Sequence, residues 1–243
     1  MVTPAPDAYD LGTPVAGTGR GLYVAVSGNT SGGKSTLVEQ LRRELVADGV
    51  PAIGVSERAF HHRFLPLMFS NSRDFAFPIQ LSFMLERHMV LLRNLALGRT
   101  VVMERSHLDD FLFVREHAES GNIAADQVAA YRGLAHVLHA RIPDPDVLVL
   151  MNPPAEVSLK RLAAAEEAGE RPREFPDEAV KRGWVERWHA MYEDLHAHFR
   201  ERRASDPQFA EVSLLHVDPE APAGSAVPQV LAAIRAKQAL RGR

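Results

Sequence analysis

The sequence predicts an α/β fold in three layers: a five-stranded parallel sheet with helices on both faces. Two observations carry this. Short apolar, β-prone segments alternate with amphipathic helical ones throughout the chain, and strands that alternate with helices pair in parallel and are covered on both sides. A glycine-rich loop, Gly28-Asn29-Thr30-Ser31-Gly32-Gly33-Lys34-Ser35-Thr36, joins the first apolar segment to the first helical one. It fits G-x-x-x-x-G-K-[ST], the pattern of a phosphate-cradling P-loop. The 243 residues suit one such domain, and the chain shows no internal repeat.

Each element follows from its local pattern. Leu22 to Ser27 is short and apolar, as a buried first strand should be. Leu37, Val38, Leu41 and Leu45 then recur at helical spacing, with charged residues between them. Asp48-Gly49 stops that helix, and residues 50–57 read as a second strand ending at Glu57. Residues 60–73, aromatic with two His and two Arg, suit a short helix and a loop. Pro78 is expected near the start of a long amphipathic helix carrying Ile79, Phe83, Met84, Val90, Leu91 and Leu95, which Gly98 ends. Thr100 to Met103 is the third strand, running into Glu104-Arg105-Ser106. Residues 124–140 read as a helix with Asn122 as its cap. Residues 146–151 form the fourth strand, and Pro154 opens a helix toward Gly169. A charged, proline-broken loop covers 170–176. A long helix follows from about 177 to 203, then a fifth strand over 211–217 and a last helix over 227–240. Trp184, Trp188, Met191, Leu195 and Phe199 share one stripe of the long helix and are expected in the core.

Composition narrows the chemistry. With no cysteine, disulfides, thiolate metal sites and a cysteine nucleophile are excluded. A net charge of −3 gives no reason to expect nucleic-acid binding. No apolar run is long enough to span a membrane. Residues 1–20, rich in Pro, Gly, Thr and Ala, lack the basic start and apolar stretch of a secretory signal. They are expected to be a flexible extension to a domain over 21–243, and cytoplasm is the expected compartment. The histidines have no metal-ligand spacing with carboxylates, and neighbours such as His61-His62 and His196/His198 are expected on the surface.

The loop implies binding of a nucleoside triphosphate with Mg²⁺. Its glycines let successive N–H groups point inward at phosphate oxygens, and the following helix adds its positive end. Lys34 is expected to reach the β- and γ-phosphates and the Ser35 hydroxyl to ligate Mg²⁺. In open parallel sheets ligands lie beyond the carboxyl ends of the strands. That singles out Glu57 at the second strand and Glu104-Arg105-Ser106 at the third. A carboxylate there repels phosphate unless it binds the metal or takes a proton. Arg161, Arg171 and Arg173, in a lid over about 161–176, can close on the charge that spreads over a transferring phosphoryl group. Gln80 can pair with one edge of a nucleobase, Arg87 lies two turns further along the same helix, and Asp110 can pair with Arg87.

Together these residues resemble the deoxynucleoside kinase family, within the wider nucleoside and thymidylate kinase superfamily. The resemblance covers about 23–217. It rests on the Gly-Asn-x-x-x-Gly-Lys-Ser-Thr loop, the Glu-Arg-Ser at the third strand, Gln80 and Arg87, and the arginine lid. It implies ATP-dependent phosphorylation of a nucleoside 5′-hydroxyl. Glu57 would take the hydroxyl proton, Arg105 would hold the acceptor oxygen beside it, and Glu104 would help Ser35 hold Mg²⁺. Gln80 would read the base, the Arg87–Asp110 pair would favour purines or cytosine, and Glu174 would reach the 3′-hydroxyl. The loop over 218–223 would lie near the adenine of ATP. Family members commonly form homodimers through helices beside the sheet.

The chain departs from the family in two places. Arg58 follows Glu57 where the family usually has Pro, and no Tyr stands between Glu57 and Gln80 to meet the sugar. A ribonucleoside, a modified nucleoside, a nucleoside monophosphate, a vitamin riboside or an antibiotic hydroxyl therefore remains open as acceptor. For a monophosphate, Arg58, Arg63 and Arg73 would supply the extra positive charge. A nucleotide-binding regulatory module is disfavoured, because the chain has neither an Asn-Lys-x-Asp segment nor an Asp-x-x-Gly at the third strand.

Overall fold

The structure is a computed structural model and describes residues 19–57, 64–175, 177–218, 221 and 224–241. Five strands, β1 (Tyr23–Ser27), β2 (Ala52–Val55), β3 (Thr100–Glu104), β4 (Val147–Leu150) and β5 (Ser213–His216), form one sheet in the order β2-β3-β1-β4-β5. Every pairing is parallel. The helices are α1 (Lys34–Ala47), α2 (Leu65–Ser70), α3 (Ser72–Ala96), α4 (Asp110–Glu119), α5 (Ala125–His139), α6 (Ala155–Glu167), α7 (Glu178–Ser205), α8 (Pro207–Ala210) and α9 (Val227–Arg241).

Two cores sandwich the sheet, and alternation along each strand feeds both. Val24, Val26, Val102, Val147 and Val149 face α1 and α9, packing on Leu37, Leu41, Val230 and Ile234. Tyr23, Ala25, Met103, Leu148 and Leu150 face the other way, onto Val90, Leu91 and Leu95 of α3 and Phe199 of α7. Both faces of these strands are apolar, as a sheet with helices on both sides requires. The expected stripe on α7 is the core-facing one: Trp188, Met191 and Phe199 are buried, with Trp184 and Leu195 packed against them.

Several expectations are corrected. The outer strands are shorter than their apolar runs, so Glu57 stands just beyond β2 rather than in it. The long third helix starts at Ser72, six residues before Pro78, because Asn71 caps it by accepting from the Asp74 N–H. Asn122 does not cap α5. That helix starts from Ala124, whose N–H donates to the Gln127 side chain. Helix α4, which follows Glu104-Arg105-Ser106, was not anticipated. His196 is buried, not exposed, because it falls on the same α7 stripe as Tyr192 and Phe199, whereas His198 is exposed as expected. His61, His62, Arg58, Arg63, residues 1–18 and most of the 218–223 loop lie outside the described residues.

Candidate active site

The loop between β1 and α1 lies at the carboxyl edge of the central strand, flanked by β3 and β4. Gly28 is required by a close approach: a side chain there would collide with the Met151 carbonyl after β4. Gly33 takes a left-handed φ of 87° as the N-cap of α1 and so turns the chain into the helix. The loop also grips its surroundings. Asn29 Nδ2 donates to the Val185 carbonyl on α7 at 3.1 Å, while its Oδ1 accepts from the Thr30 N–H at 2.7 Å. Ser158 of α6 donates to the Thr30 carbonyl at 3.1 Å.

Lys34 is 4% exposed and donates to the Asn29 carbonyl at 2.6 Å, with Glu104 Oε1 at 3.8 Å. Burial lowers its pKa, opposed by Glu104. Ser35 Oγ donates to Glu104 Oε2 at 2.7 Å, and the Glu57 N–H donates to the same oxygen at 3.2 Å. The hydroxyl and the carboxylate expected to share a metal thus stand together. No cluster of three or more His, Cys, Asp or Glu suited to a metal exists among the described residues. A single hydroxyl and one carboxylate still fit Mg²⁺, a hard cation that keeps several waters and takes its remaining oxygens from phosphates.

On the neighbouring strand end, Arg105 Nη1 lies 3.1 Å from Glu57 Oε1. Its guanidinium rests on the Phe113 ring of α4, 4.5 Å from the centroid. Phe113 stacks against Trp188 of α7 at 4.5 Å. The Glu57 side chain is 44% exposed, at the opening of the cleft. Desolvation opposes its ionisation, but Arg105 and Lys34 prevail and hold its pKa below the usual carboxylate value. It is therefore charged at neutral pH.

Deeper in the cleft, Arg87 of α3 and Asp110 of α4 form the expected pair at 3.2 Å, both nearly fully buried. Burial pushes Asp110 up to about 6 against the pull of Arg87, with Asp109 adding to the rise. Gln80 is buried on the same face of α3, its amide 4.0 Å from Met68 Sδ. Asp110 Oδ2, Tyr131 Oη, Trp188 Nε1, Tyr192 Oη and Arg105 Nε are buried with no hydrogen-bond partner among the described residues. The electrostatic neighbours of Tyr192 are Arg105, Asp109 and Glu57, and those of Tyr131 are Asp110 and Arg87. Orphan polar atoms grouped around one cleft mark it as built for a polar ligand or ordered water. A separate hollow of about 350 Å³, lined by Val46, Val50, Arg99 and neighbours, opens where β2 begins, away from all of these residues.

The residues expected to form a lid fall in two elements. Arg161 belongs to α6, and only Arg171 and Arg173 lie in the loop that follows. Arg171 Nη1 donates to Thr30 Oγ1 of the phosphate loop at 3.0 Å, and Nη2 donates to Glu174 at 2.7 Å. Glu174 is thus engaged with Arg171, while Arg173 is exposed. Lys181 and Glu166 clamp the two helices at the base of the loop at 2.7 Å. Arg73, one of the cations expected to serve a monophosphate acceptor, is exposed, which counts against that acceptor.

Sequence reading missed Ser27, Asp109 and the buried His196, which meet behind the site. Ser27 and Asp109 carry no pattern of their own. His196 could have been found from its spacing with Tyr192 and Phe199.

A parallel sheet with a glycine-rich phosphate loop after its central strand, and carboxylates and an arginine at the adjacent strand ends, defines a P-loop nucleotide-binding protein with a second cleft beside the phosphates. The chain belongs to the deoxynucleoside kinase family, whose model matches residues 24–222. Deoxyguanosine kinases of Lactobacillus acidophilus and Lactobacillus johnsonii are each 28% identical to it over 144 residues, 57% of this chain. The chain spans 60% and 62% of the lengths of these two relatives. Among solved structures, deoxyadenosine kinase from M. mycoides with bound dCTP has a TM-score of 0.65 at 13% identity, covering 88% of this chain and 98% of that one. The same protein with products dCMP and a flexible dCDP gives 0.64 at 14%. At such identities the likeness establishes the fold.

Proposed function

We propose that the protein transfers the γ-phosphoryl group of ATP to the 5′-hydroxyl of a deoxynucleoside, with purines preferred and cytosine next. The observation that carries this reading is the convergence of Glu57, Arg105, Glu104 and Ser35 in front of Lys34. Backbone N–H groups of residues 28–36 and the Lys34 ammonium hold the triphosphate. Ser35 and Glu104 would hold Mg²⁺, which neutralises phosphate charge when bound. Glu57, charged and beside Arg105, takes the proton from the attacking oxygen as its bond to phosphorus forms and the bond to the leaving diphosphate breaks. A weakly basic carboxylate suffices, because the transition state is loose and its proton leaves late. Arg105, Arg171 and Arg173 offset the charge on the transferring group, and the lid excludes water. Arg161 supports the lid from α6. Gln80 and the Arg87–Asp110 pair read the base, in keeping with the purine-named relatives. Glu174 reaches the sugar once it is released from Arg171.

A homodimer is part of this reading. Leu85, Met89 and Leu92 are exposed at helical spacing on α3, and Leu134 and Val137 are exposed on α5 beside it. Such a face suits burial against a second copy, and sedimentation velocity with Met89→Glu tests it. A cytoplasmic location is also proposed. Among the described residues, no helix is long and apolar enough to cross a membrane.

The deciding experiment incubates the protein with ATP-Mg and each deoxynucleoside and ribonucleoside in turn, and follows ADP. Acceptor-dependent ADP, greatest with a purine deoxynucleoside, is expected. The absence of acceptor-dependent ADP with every nucleoside would overturn the reading.

A further inference from the structure

Asp109 has no role in the reading above, yet it is fully buried where the ends of β1 and β3 meet. Its Oδ1 accepts from Ser27 Oγ and its Oδ2 from Ser106 Oγ, both at 2.6 Å. Ser27 ends β1 and feeds the phosphate loop, whereas Ser106 directly follows Arg105. The Ser27 proton is committed to Asp109, so the 3.3 Å contact between Ser27 Oγ and His196 Nε2 has the imidazole as donor. Bonds therefore run from His196 to Ser27 to Asp109, and from Ser106 to Asp109. They join α7, β1 and the segment behind β3.

That segment is a tight turn. The Leu108 N–H donates to Ser106 Oγ at 3.1 Å, and the Asp109 N–H donates to the Ser106 carbonyl at 3.0 Å. Immediately before it, Arg105 has φ of 60°, a conformation that a residue with a side chain keeps only where its surroundings enforce it. The Arg105 N–H donates to the Val26 carbonyl at 2.8 Å, so its place is set relative to the same strand that ends in Ser27. A buried carboxylate is a costly way to fill space, and an apolar residue would do so more cheaply. Only a carboxylate accepts on both oxygens, since an amide accepts on one and donates on the other.

We propose that Asp109 is a positioning residue for phosphoryl transfer. By taking one bond from Ser27 and one from Ser106, it locks the ends of β1 and β3 together. It thereby keeps Arg105 in the left-handed conformation that turns its guanidinium to Glu57. The role rests on the reading of Glu57 and Arg105 given above.

Asp109→Asn tests it, alone and combined with Arg105→Ala. The single variant is expected to bind ATP within about threefold of the parent and to lose about 10- to 100-fold in kcat, with KM for the deoxynucleoside within about threefold. In the Arg105→Ala background the same substitution should change kcat by less than about twofold, because nothing is left to position. A merely structural role would give losses that multiply. A crystal structure of Asp109→Asn should show Arg105 out of the left-handed region and away from Glu57. Multiplying losses, or Arg105 unmoved, would overturn the proposal. If Asp109→Asn does not fold, Ser106→Ala, which deletes one of the two bonds, takes the same measurements with a smaller expected loss. A parent that phosphorylates no nucleoside would sink the functional reading alone, and the position of Arg105 in the variant crystal would still decide the role of Asp109.

Discussion

On the phosphate side of the cleft, the working groups come from consecutive residues, 28–36, and many are backbone N–H groups and glycines. On the proposed acceptor side the lining comes from five places: Glu57 after β2, Arg105 after β3, Arg87 and Gln80 on α3, Asp110 on α4, and Trp188 and Tyr192 on α7. The first arrangement depends on local turn geometry, which the chain carries wherever it goes. The second exists only once the sheet has formed and α3, α4 and α7 have packed on it. A phosphate cradle can thus stay fixed while the acceptor cleft is remodelled, one distant side chain at a time.

The sharpest way to test this division is to damage one side and ask whether the other notices. Glu57→Gln keeps the shape of the side chain and removes its ability to take a proton. Turnover is expected to fall about 10²- to 10⁴-fold in kcat, with the KM for ATP little changed. Steady-state kinetics with both substrates varied measures both quantities. An equal loss of ATP affinity would mean that Glu57 belongs to the phosphate side.

Lys34→Ala is the mirror experiment. It removes the one side-chain cation of the loop, and kcat/KM for ATP is expected to drop about 10²- to 10³-fold. Nucleoside binding, followed by calorimetry, should stay near that of the parent. A matching loss of nucleoside affinity would show the two sides to be one site energetically.

The acceptor side also carries a pH signature in the weakly acidic range. Asp110, raised by burial to about 6, is ionised above that pH and neutral below it. The folded protein takes up this proton more readily than the unfolded chain, whose carboxyl has the ordinary value of 3.8. The group's contribution to stability is therefore fully present below about pH 4 and declines as pH rises through 6. The base reading proposed for the pair runs the other way, since Arg87 has its counter-charge only above that range. The kcat/KM for the nucleoside should climb to a plateau above pH 6 and fall about tenfold per unit below it. Asp110→Asn should flatten that limb and lower the plateau by roughly tenfold. A parent profile without this limb would remove the ionised pair from base reading.

The same division explains what could be read from the chain alone. The loop, its strand and its helix were legible because the motif, the apolar run and the 3.6-residue repeat are all local. Glu57, Arg105, Gln80, Arg87 and Asp110 were legible only through family resemblance and strand-end logic, and the structure brings Glu57 to Arg105 and Arg87 to Asp110 as expected. The meeting of Ser27, Asp109 and His196 was not legible. The α7 stripe of Tyr192, His196 and Phe199 could have marked His196 as buried, but no spacing announces that it meets Ser27 and Asp109, which come from distant parts of the chain. Pro78 misled for the opposite reason. Its local preference for a helix start yielded to Asn71, a better cap six residues upstream.

Arg171 is where the two sides touch, and it gives the smallest and most discriminating test. It reaches Thr30 of the phosphate loop at 3.0 Å and Glu174 at 2.7 Å from the same guanidinium. The next residue, Phe175, packs on Trp184 at 5.3 Å, and Trp184 packs on Trp188 at 5.8 Å. Trp188 leads through Phe113 to Arg105, so a line of aromatic contacts runs from the lid to the acceptor side. Both tryptophans of the chain lie on it. Movement of the lid should therefore alter tryptophan fluorescence when ATP-Mg binds. Arg171→Ala should lower kcat by about tenfold, and Phe175→Ala by somewhat less. Only Phe175→Ala should abolish the fluorescence change, since it breaks the line and leaves the bond to Thr30 in place. If Arg171→Ala silences the fluorescence and Phe175→Ala does not, the phosphate loop itself carries the signal, and the separation of the two sides is less complete than their construction implies.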